Sequence, residues 1–113
     1  MFMPYNEKIA ERIRKALMHL SNVKEKKMFG SLAFMVDDKM CINVGSDRIM
    51  CRIDPDLHNN ATKRKGCNTV VMHGKEYKGF VYIDNEQLKN KSDLDYWIML
   101  ALEYNKIAKA SRK

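Results

Sequence analysis

The fold is decided by two neighbouring stretches, Lys27-Met-Phe-Gly-Ser-Leu-Ala-Phe-Met-Val36 and Met40-Cys-Ile-Asn-Val44. In both stretches, large apolar residues recur at every second position, which is the period of a β-strand. The intervening Asp37-Asp38 is a turn pair, and it is too short for the crossover that a parallel pair requires. The sequence therefore predicts an antiparallel hairpin here.

The same period continues on both sides of the hairpin. Lys24 to Phe29 can form a preceding strand, and Ile49 to Ile53 form a following one after the turn at 45–47. Asn68 to His73 and Tyr77 to Asp84 predict two more strands around Gly74. Gly79 lies inside the last of these, where a glycine indicates a bulge or a close backbone approach.

Three helices are predicted around these strands. Residues 5–20 carry an apolar stripe at helical spacing. A short helix starts at Asp54-Pro55 and ends at Gly66, with Lys63, Arg64 and Lys65 in its last turn. A third begins near Ser92, where Ser92 and Asp95 resemble a capping box. Its predicted inner face consists of Leu94, Trp97, Ile98, Ala101, Leu102 and Asn105.

The order of elements predicts an α+β fold. We expect an antiparallel sheet of about five to six strands, with the N-terminal, middle and C-terminal helices packed mainly on one face. The chain has 113 residues, of which 45% are hydrophobic and 31% charged, and we expect a single domain over 1–113. No apolar run approaches the ~20 residues of a membrane span. With no signal-peptide pattern at the start, a cytoplasmic location is expected.

The cysteines and histidines show no pattern typical of a disulfide, a zinc site or a catalytic site. Cys41, Cys51 and Cys67 show neither C-x-x-C spacing nor a nearby histidine pair, so small buried side chains are the expectation rather than a disulfide or zinc site. The histidines, His19, His58 and His73, fall on different elements. A cysteine–histidine pair such as Cys67 with His73 could serve as nucleophile and base, but no motif supplies an orienting third group. We expect no catalytic residue, no metal and no cofactor.

Methionine leaves two interpretations open. Of the nine methionines, Met28, Met35, Met40, Met50 and Met72 fall on predicted strands. Core packing is the expectation for most of them, and an exposed apolar patch for dimerisation or partner binding is the alternative.

The chain is basic, with a formal net charge of +7. The basic residues cluster at 24–27, at 63–65 and from Lys106 to Lys113. Solvated charge is one interpretation; the other is a polyanion or partner surface formed by Lys24, Lys26, Lys27, Lys63, Arg64 and Lys65.

Taken in order, these motifs resemble one family, the N-terminal domain of the TfoX/Sxy competence regulators. The resemblance rests on Lys27-Met-Phe-Gly30, Leu32-Ala-Phe-Met-Val36, Met40-Cys41, Lys78-Gly-Phe-Val-Tyr82 and the helix that contains Trp97. It covers nearly the whole chain.

The resemblance implies an α+β domain, similar in layout to type III secretion chaperones and without known enzymatic residues. The larger competence regulators act as coactivators of competence genes together with a cyclic-AMP-responsive transcription factor, and the resemblance implies a link to that role without carrying it over whole. Larger members carry a second, helical domain, for which this chain has no room. We therefore expect a regulatory domain that acts through a protein partner or a homodimer. The alternative is an accessory nucleic-acid-binding protein with backbone-dominated, weakly sequence-specific contacts.

Overall fold

A computed structural model describes residues 5–28 and 30–108. They form a six-stranded antiparallel sheet in the order β1-β2-β3-β4-β6-β5 with three α-helices, as predicted. The helices are α1 (Glu7–Ala16), α2 (His58–Ala61) and α3 (Lys91–Asn105). The strands are β1 (Val23–Met28), β2 (Ser31–Val36), β3 (Lys39–Val44), β4 (Arg48–Arg52), β5 (Cys67–Met72) and β6 (Lys75–Asp84). Phe29, the predicted end of the first strand, lies outside the described residues.

The predicted hairpin is formed by β2 and β3. Asp37 and Asp38 have φ values of 52° and 64°, and Val36 pairs with Lys39 across them. Positive φ at both central residues is the geometry of a type I′ turn, whose twist matches that of the strands. The turn residues therefore fix the register of the pair.

A bulge interrupts this hairpin. Phe34 pairs with Ile42, but Met35 pairs with Met40, which leaves Cys41 as an extra residue on β3. Cys41 and Ile42 are both buried in the core. The bulge explains how two consecutive residues reach the same side of a strand.

The sheet has two different faces. One, the helix face, forms the core together with the helices, through Leu32, Phe34, Val44, Ile49, Cys51, Val81 and Ile83. Residues on the alternate register positions point the other way, and within the described residues no helix packs across this side, although the Arg52 guanidinium at its margin lies 5.6 Å from the ring of Tyr104 on α3. We call this the open face; it carries Lys24, Lys26, Met28, Ser31, Ala33, Met35, Met40, Asn43, Arg48, Met50, Arg52, Asn68, Val70, Met72, Lys75, Tyr77, Phe80, Tyr82 and Asp84.

The third helix is capped differently from the prediction. It begins at Lys91, and Asn90 takes the extended N-cap conformation, so Ser92 lies inside the first turn and the Ser92–Asp95 capping box is wrong. The inner face is largely as predicted, with only Leu102 partly exposed. Buried Asn105 donates from Nδ2 to the Val36 carbonyl at 3.3 Å and joins the helix end to the β2–β3 hairpin.

The middle helix is shorter than predicted. Pro55–Leu57 is a 3₁₀ turn, and α2 ends at Ala61. The next amides, those of Lys63 and Arg64, bond to carbonyls only three residues back. This is turn geometry rather than α-helix. Lys63, Arg64 and Lys65 therefore follow the helix, and their predicted place in its last turn is wrong.

Candidate interaction surfaces

The two basic clusters predicted as one candidate surface lie at opposite ends of the sheet. Lys24, Lys26 and Lys27 are on β1, one edge strand, whereas 63–65 lead into β5, the other edge. Five strand spacings separate the edges, about 24 Å. Lys24 and Lys26 point to the open face, and Lys27 pairs with Leu32 on the helix face. The structure does not bring these six residues together. Residues 109–113 of the third basic cluster lie outside the described residues.

Arg64 is held against aromatic rings of α3. Its guanidinium carbon lies 4.0 Å from the centre of the Tyr96 ring and 5.8 Å from that of Trp97. A cavity of about 280 Å³ beside it is lined by Arg64, Lys65, Gln87, Asp93 and Trp97. A guanidinium stacked on rings contributes to packing as well as charge, so Arg64 has a structural role here.

The cysteines are buried thiols, as expected. Burial raises the pKa of Cys41 to about 12 and that of Cys67 to about 11, and it also raises the pKa of Cys51. A nucleophilic cysteine needs a lowered pKa. Cys67 begins β5, and His73 is exposed in the turn after it, about 20 Å along an extended strand. The two cannot act as a pair.

The histidines are dispersed. His19 is exposed after α1, and His73 is exposed in the β5–β6 turn. Buried His58 accepts the Gly79 N–H at Nδ1, and its Nε2 lies 3.0 Å from Thr69 Oγ1. Both ring nitrogens of His58 are therefore occupied within the fold. Among the described residues, no group of three or more His, Cys, Asp or Glu side chains is placed to hold a metal ion.

A cleft runs between α1 and α3 on the outer side of the helices. Its volume is about 780 Å³, and its apolar lining is Ala16, Leu20, Val36, Ile98, Met99 and Leu102. A smaller cavity of about 360 Å³ shares Ala16, Lys91 and Asp95 with it and continues along α1. We call the two together the helical cleft. Arg12 joins the helices beside it, because its guanidinium donates to the Leu88 and Asn90 carbonyls at 2.6 and 3.3 Å.

The three most exposed large hydrophobic side chains of the described residues belong to the cleft lining or adjoin it in the sequence. Met99 lines it and is 62% exposed, while Met18 and Ile107, at 78% and 72%, are next to the lining residues His19 and Lys106. Two of its lysines are paired, Lys91 with Asp95 at 2.7 Å and Lys106 with Glu103 at 3.5 Å, and Lys15 adds a further positive charge at the α1 end. The surface is therefore apolar, with a largely balanced rim.

The strand methionines lie on the open face. Met28 and Met72 are 45% and 43% exposed, and Met35, Met40 and Met50 are partly exposed. No described methionine belongs to the buried core, so the expectation that most of them pack there is wrong. The register explains this, because each pairs across the sheet with other open-face positions.

Sequence reasoning found neither the helical cleft nor the open face as a site. A signal was present for the second, since aromatic and basic residues alternate with core residues in Phe80-Val81-Tyr82-Ile83 and Arg48-Ile49-Met50. The cleft depends on the distance between α1 and α3, and this distance cannot be predicted from the sequence of either helix alone. None of the described helices is long and apolar enough to cross a membrane.

Comparison with known proteins identifies one family. No curated protein and no solved structure shows significant similarity to the chain. The family model described as the TfoX N-terminal domain matches residues 15–104, from the end of α1 to the end of α3. This match covers the whole sheet, and the chain therefore belongs to the TfoX N-terminal domain family.

Proposed function

We propose that this protein is a non-enzymatic regulatory domain of the TfoX type, which acts in the cytoplasm by docking a protein partner in the helical cleft. Its regulatory target is transcription of competence genes, as the family resemblance implies. The partner is a cyclic-AMP-responsive transcription factor, which presents the apolar face of an amphipathic helix.

The exposed apolar surface around the cleft carries this proposal. Met18, Met99 and Ile107 are the most solvent-exposed large hydrophobic side chains of the described residues. An exposed apolar patch beside a groove is typical of a protein-docking surface. Methionine suits such a surface because its side chain adapts to the shape of a partner.

The shape of the cleft favours a helical occupant. It is bounded by two helices and has apolar side chains along its length, including Leu20, Ile98 and Leu102. A partner helix with apolar residues at i, i+3, i+4 and i+7 would fill such a groove. Acidic partners beside two of the rim lysines, Lys91 and Lys106, reduce the positive charge that a polyanion would meet there.

The non-enzymatic part of the proposal is supported by the state of the candidate nucleophiles. The cysteines are buried with raised pKa values, and His58 is occupied by Gly79 and Thr69. The nucleic-acid alternative loses its original basis, because the basic clusters at 24–27 and 63–65 lie at opposite edges of the sheet.

The test is a titration of the fluorescently labelled chain with a purified cyclic-AMP-responsive transcription factor in the presence of cyclic AMP, followed by anisotropy. We expect saturable binding by the wild-type chain. Met99→Glu places a charge in the apolar cleft and should weaken binding at least tenfold. Met72→Glu makes the same change at an exposed methionine on the opposite side and should leave the affinity unchanged.

Two results would contradict the proposal. One is a chain that binds no transcription factor at micromolar concentrations while remaining folded. The other is a wild-type dimer in sedimentation equilibrium that Met99→Glu dissociates, because the occupant of the cleft would then be a second copy.

A further inference from the structure

The open face carries an excess of positive charge. Lys24, Lys26, Arg48 and Lys75 occupy its strand positions, where Asp84 is the only acidic residue among those that the structure describes. Asp84 pairs in register with Arg48, and Asp38 in the β2–β3 turn lies 3.4 Å from Lys24. The remaining excess would repel a second copy of the same face and attract an anionic partner.

The cations are interleaved with aromatic rings. The guanidinium carbon of Arg48 lies 3.5 Å from the centre of the Tyr82 ring, and that of Arg52 lies 5.6 Å from that of Phe80. Lys75 Nζ lies 5.7 Å from the centre of the Tyr77 ring. Aromatic rings and arginine planes on an exposed sheet are the surfaces on which unpaired bases stack.

A small cavity adjoins the Arg48–Tyr82 pair. Its volume is about 250 Å³, and it is lined by Ser31, Asn43, Gly45, Arg48, Met50 and Tyr82. Asn43 and Arg48 give this lining polar side chains that can hydrogen-bond to the edge of a nucleobase.

We propose that the open face binds single-stranded nucleic acid, with Arg48, Tyr82 and the Asn43 cavity as the place of one nucleotide. From β6 to β1 the face spans four strand spacings, about 19 Å, so Lys24 and Lys26 can meet phosphates further along the same strand. A duplex fits less well, because its bases are already stacked and only their edges remain accessible. This inference goes beyond the proposed function, since it concerns the side of the sheet opposite the helical cleft.

The test uses a fluorescein-labelled 12-nucleotide RNA of mixed sequence and measures anisotropy in a salt series from 50 mM upward. We expect the wild-type chain to bind the single strand more tightly than a duplex of the same sequence. Tyr82→Ala should weaken binding about fivefold or more, because it removes one stacking partner. Tyr82→Phe keeps the ring and should retain binding, so it separates loss of stacking from loss of folding.

The salt dependence tests the phosphate contacts separately. Lys26→Gln should make the slope of log affinity against log salt shallower by about 0.7, the value for one phosphate contact on a single strand. Arg64→Gln removes a stacked arginine on the helix side and serves as the matched control, with affinity and slope unchanged.

Three results would overturn the inference. The first is no binding at 50 mM salt by the folded wild-type chain. The second is equal affinity for single strand and duplex with no effect of Tyr82→Ala. The third is competition by polyglutamate as strong as that by unlabelled RNA of equal charge, which would make the face a site for acidic protein segments. Because the Tyr82 and Lys26 variants lie on the open face, failure here leaves the transcription-factor titration unaffected.

Discussion

At the scale of single residues, Gly79 shows how one position can shape a strand. Its φ is +91°, and a β-carbon there would lie 3.1 Å from the Ile53 carbonyl oxygen and 3.2 Å from Pro55 Cγ. Its N–H donates to His58 Nδ1 at 2.9 Å instead of to a neighbouring strand. The β5–β6 register shifts beside it, so the bulge or close approach predicted from the sequence is confirmed.

Gly79→Ala should therefore cost more than an alanine at another glycine with positive φ. We expect it to lower the free energy of unfolding by about 2 kcal/mol or more, because backbone strain and steric overlap add together. Gly74 has a φ of +74° with nothing within 4 Å of its would-be β-carbon, so Gly74→Ala should cost about 1 kcal/mol. Urea denaturation measures both. Equal losses of unfolding free energy in the two variants would contradict the prediction, because they would mean that the atoms around Gly79 move aside without a measurable cost.

Some features of single residues could be predicted from the sequence, and others could not. The Asp37-Asp38 turn and the buried cysteines were predictable, because local chemistry alone favours those outcomes. The N-cap of α3 was not, since Asn90 and Ser92 are both good capping residues and the sequence does not say which one the rest of the fold places at the helix start.

At the scale of elements, an ion pair fastens the outermost strand to the first helix. Arg14 Nε and Nη2 donate to the carboxylate of Glu25 on β1 at 2.5 and 2.8 Å, and Nη1 donates to Glu11. Glu25 pairs in register with Phe34, which points to the helix face. This pair is therefore a link between α1 and an edge strand that is otherwise almost entirely exposed.

Glu25→Gln should weaken this link in a pH-dependent way. The hydrogen bond from Arg14 is the main cause that lowers the pKa of Glu25 below its usual 4.5. A lowered pKa stabilises the fold above the unfolded-state pKa, and this contribution is lost as the pH falls through the folded-state value. Because the side chain is 34% exposed, we expect a loss of about 0.5–1 kcal/mol at pH 7.

Denaturation of both proteins at a series of pH values from 7 to 3 checks this prediction. The difference between wild type and Glu25→Gln should shrink as the pH falls below 4.5. A difference that stays constant over the series would show that the carboxylate charge does not contribute, and that the substitution acts through packing.

At the scale of the whole molecule, the order of the strands in the sheet decides which clusters of residues lie close together, and the sequence does not reveal that order. Alternation along each strand predicted the sheet, because it reports which residues share a face. It could not predict that the basic clusters at 24–27 and 63–65 lie at opposite edges, because that depends on which strand pairs with which. Nor could it assign the strand methionines to the open face, since both faces of β2 are apolar in sequence.

The resulting molecule presents two unlike surfaces, one on each side of the sheet. The helical cleft has a largely apolar lining with charged residues at its rim, and the open face is basic with aromatic rings. Different chemistry on opposite sides allows a protein and a nucleic acid to be bound at once without competing for the same residues. This arrangement suits a regulator that brings one partner to another.

Methionine provides a reporter on each side. Met18 and Met99 lie beside the helical cleft, and Met35, Met40 and Met50 lie on the open face. The most direct measurement is an NMR spectrum of the ¹³C-methyl-methionine-labelled chain, recorded while the cyclic-AMP-responsive transcription factor is added. We predict that the Met18 and Met99 signals shift or broaden while those of Met35, Met40 and Met50 stay in place. Changes confined to the open-face methionines would contradict the assignment of the cleft as the protein-docking site.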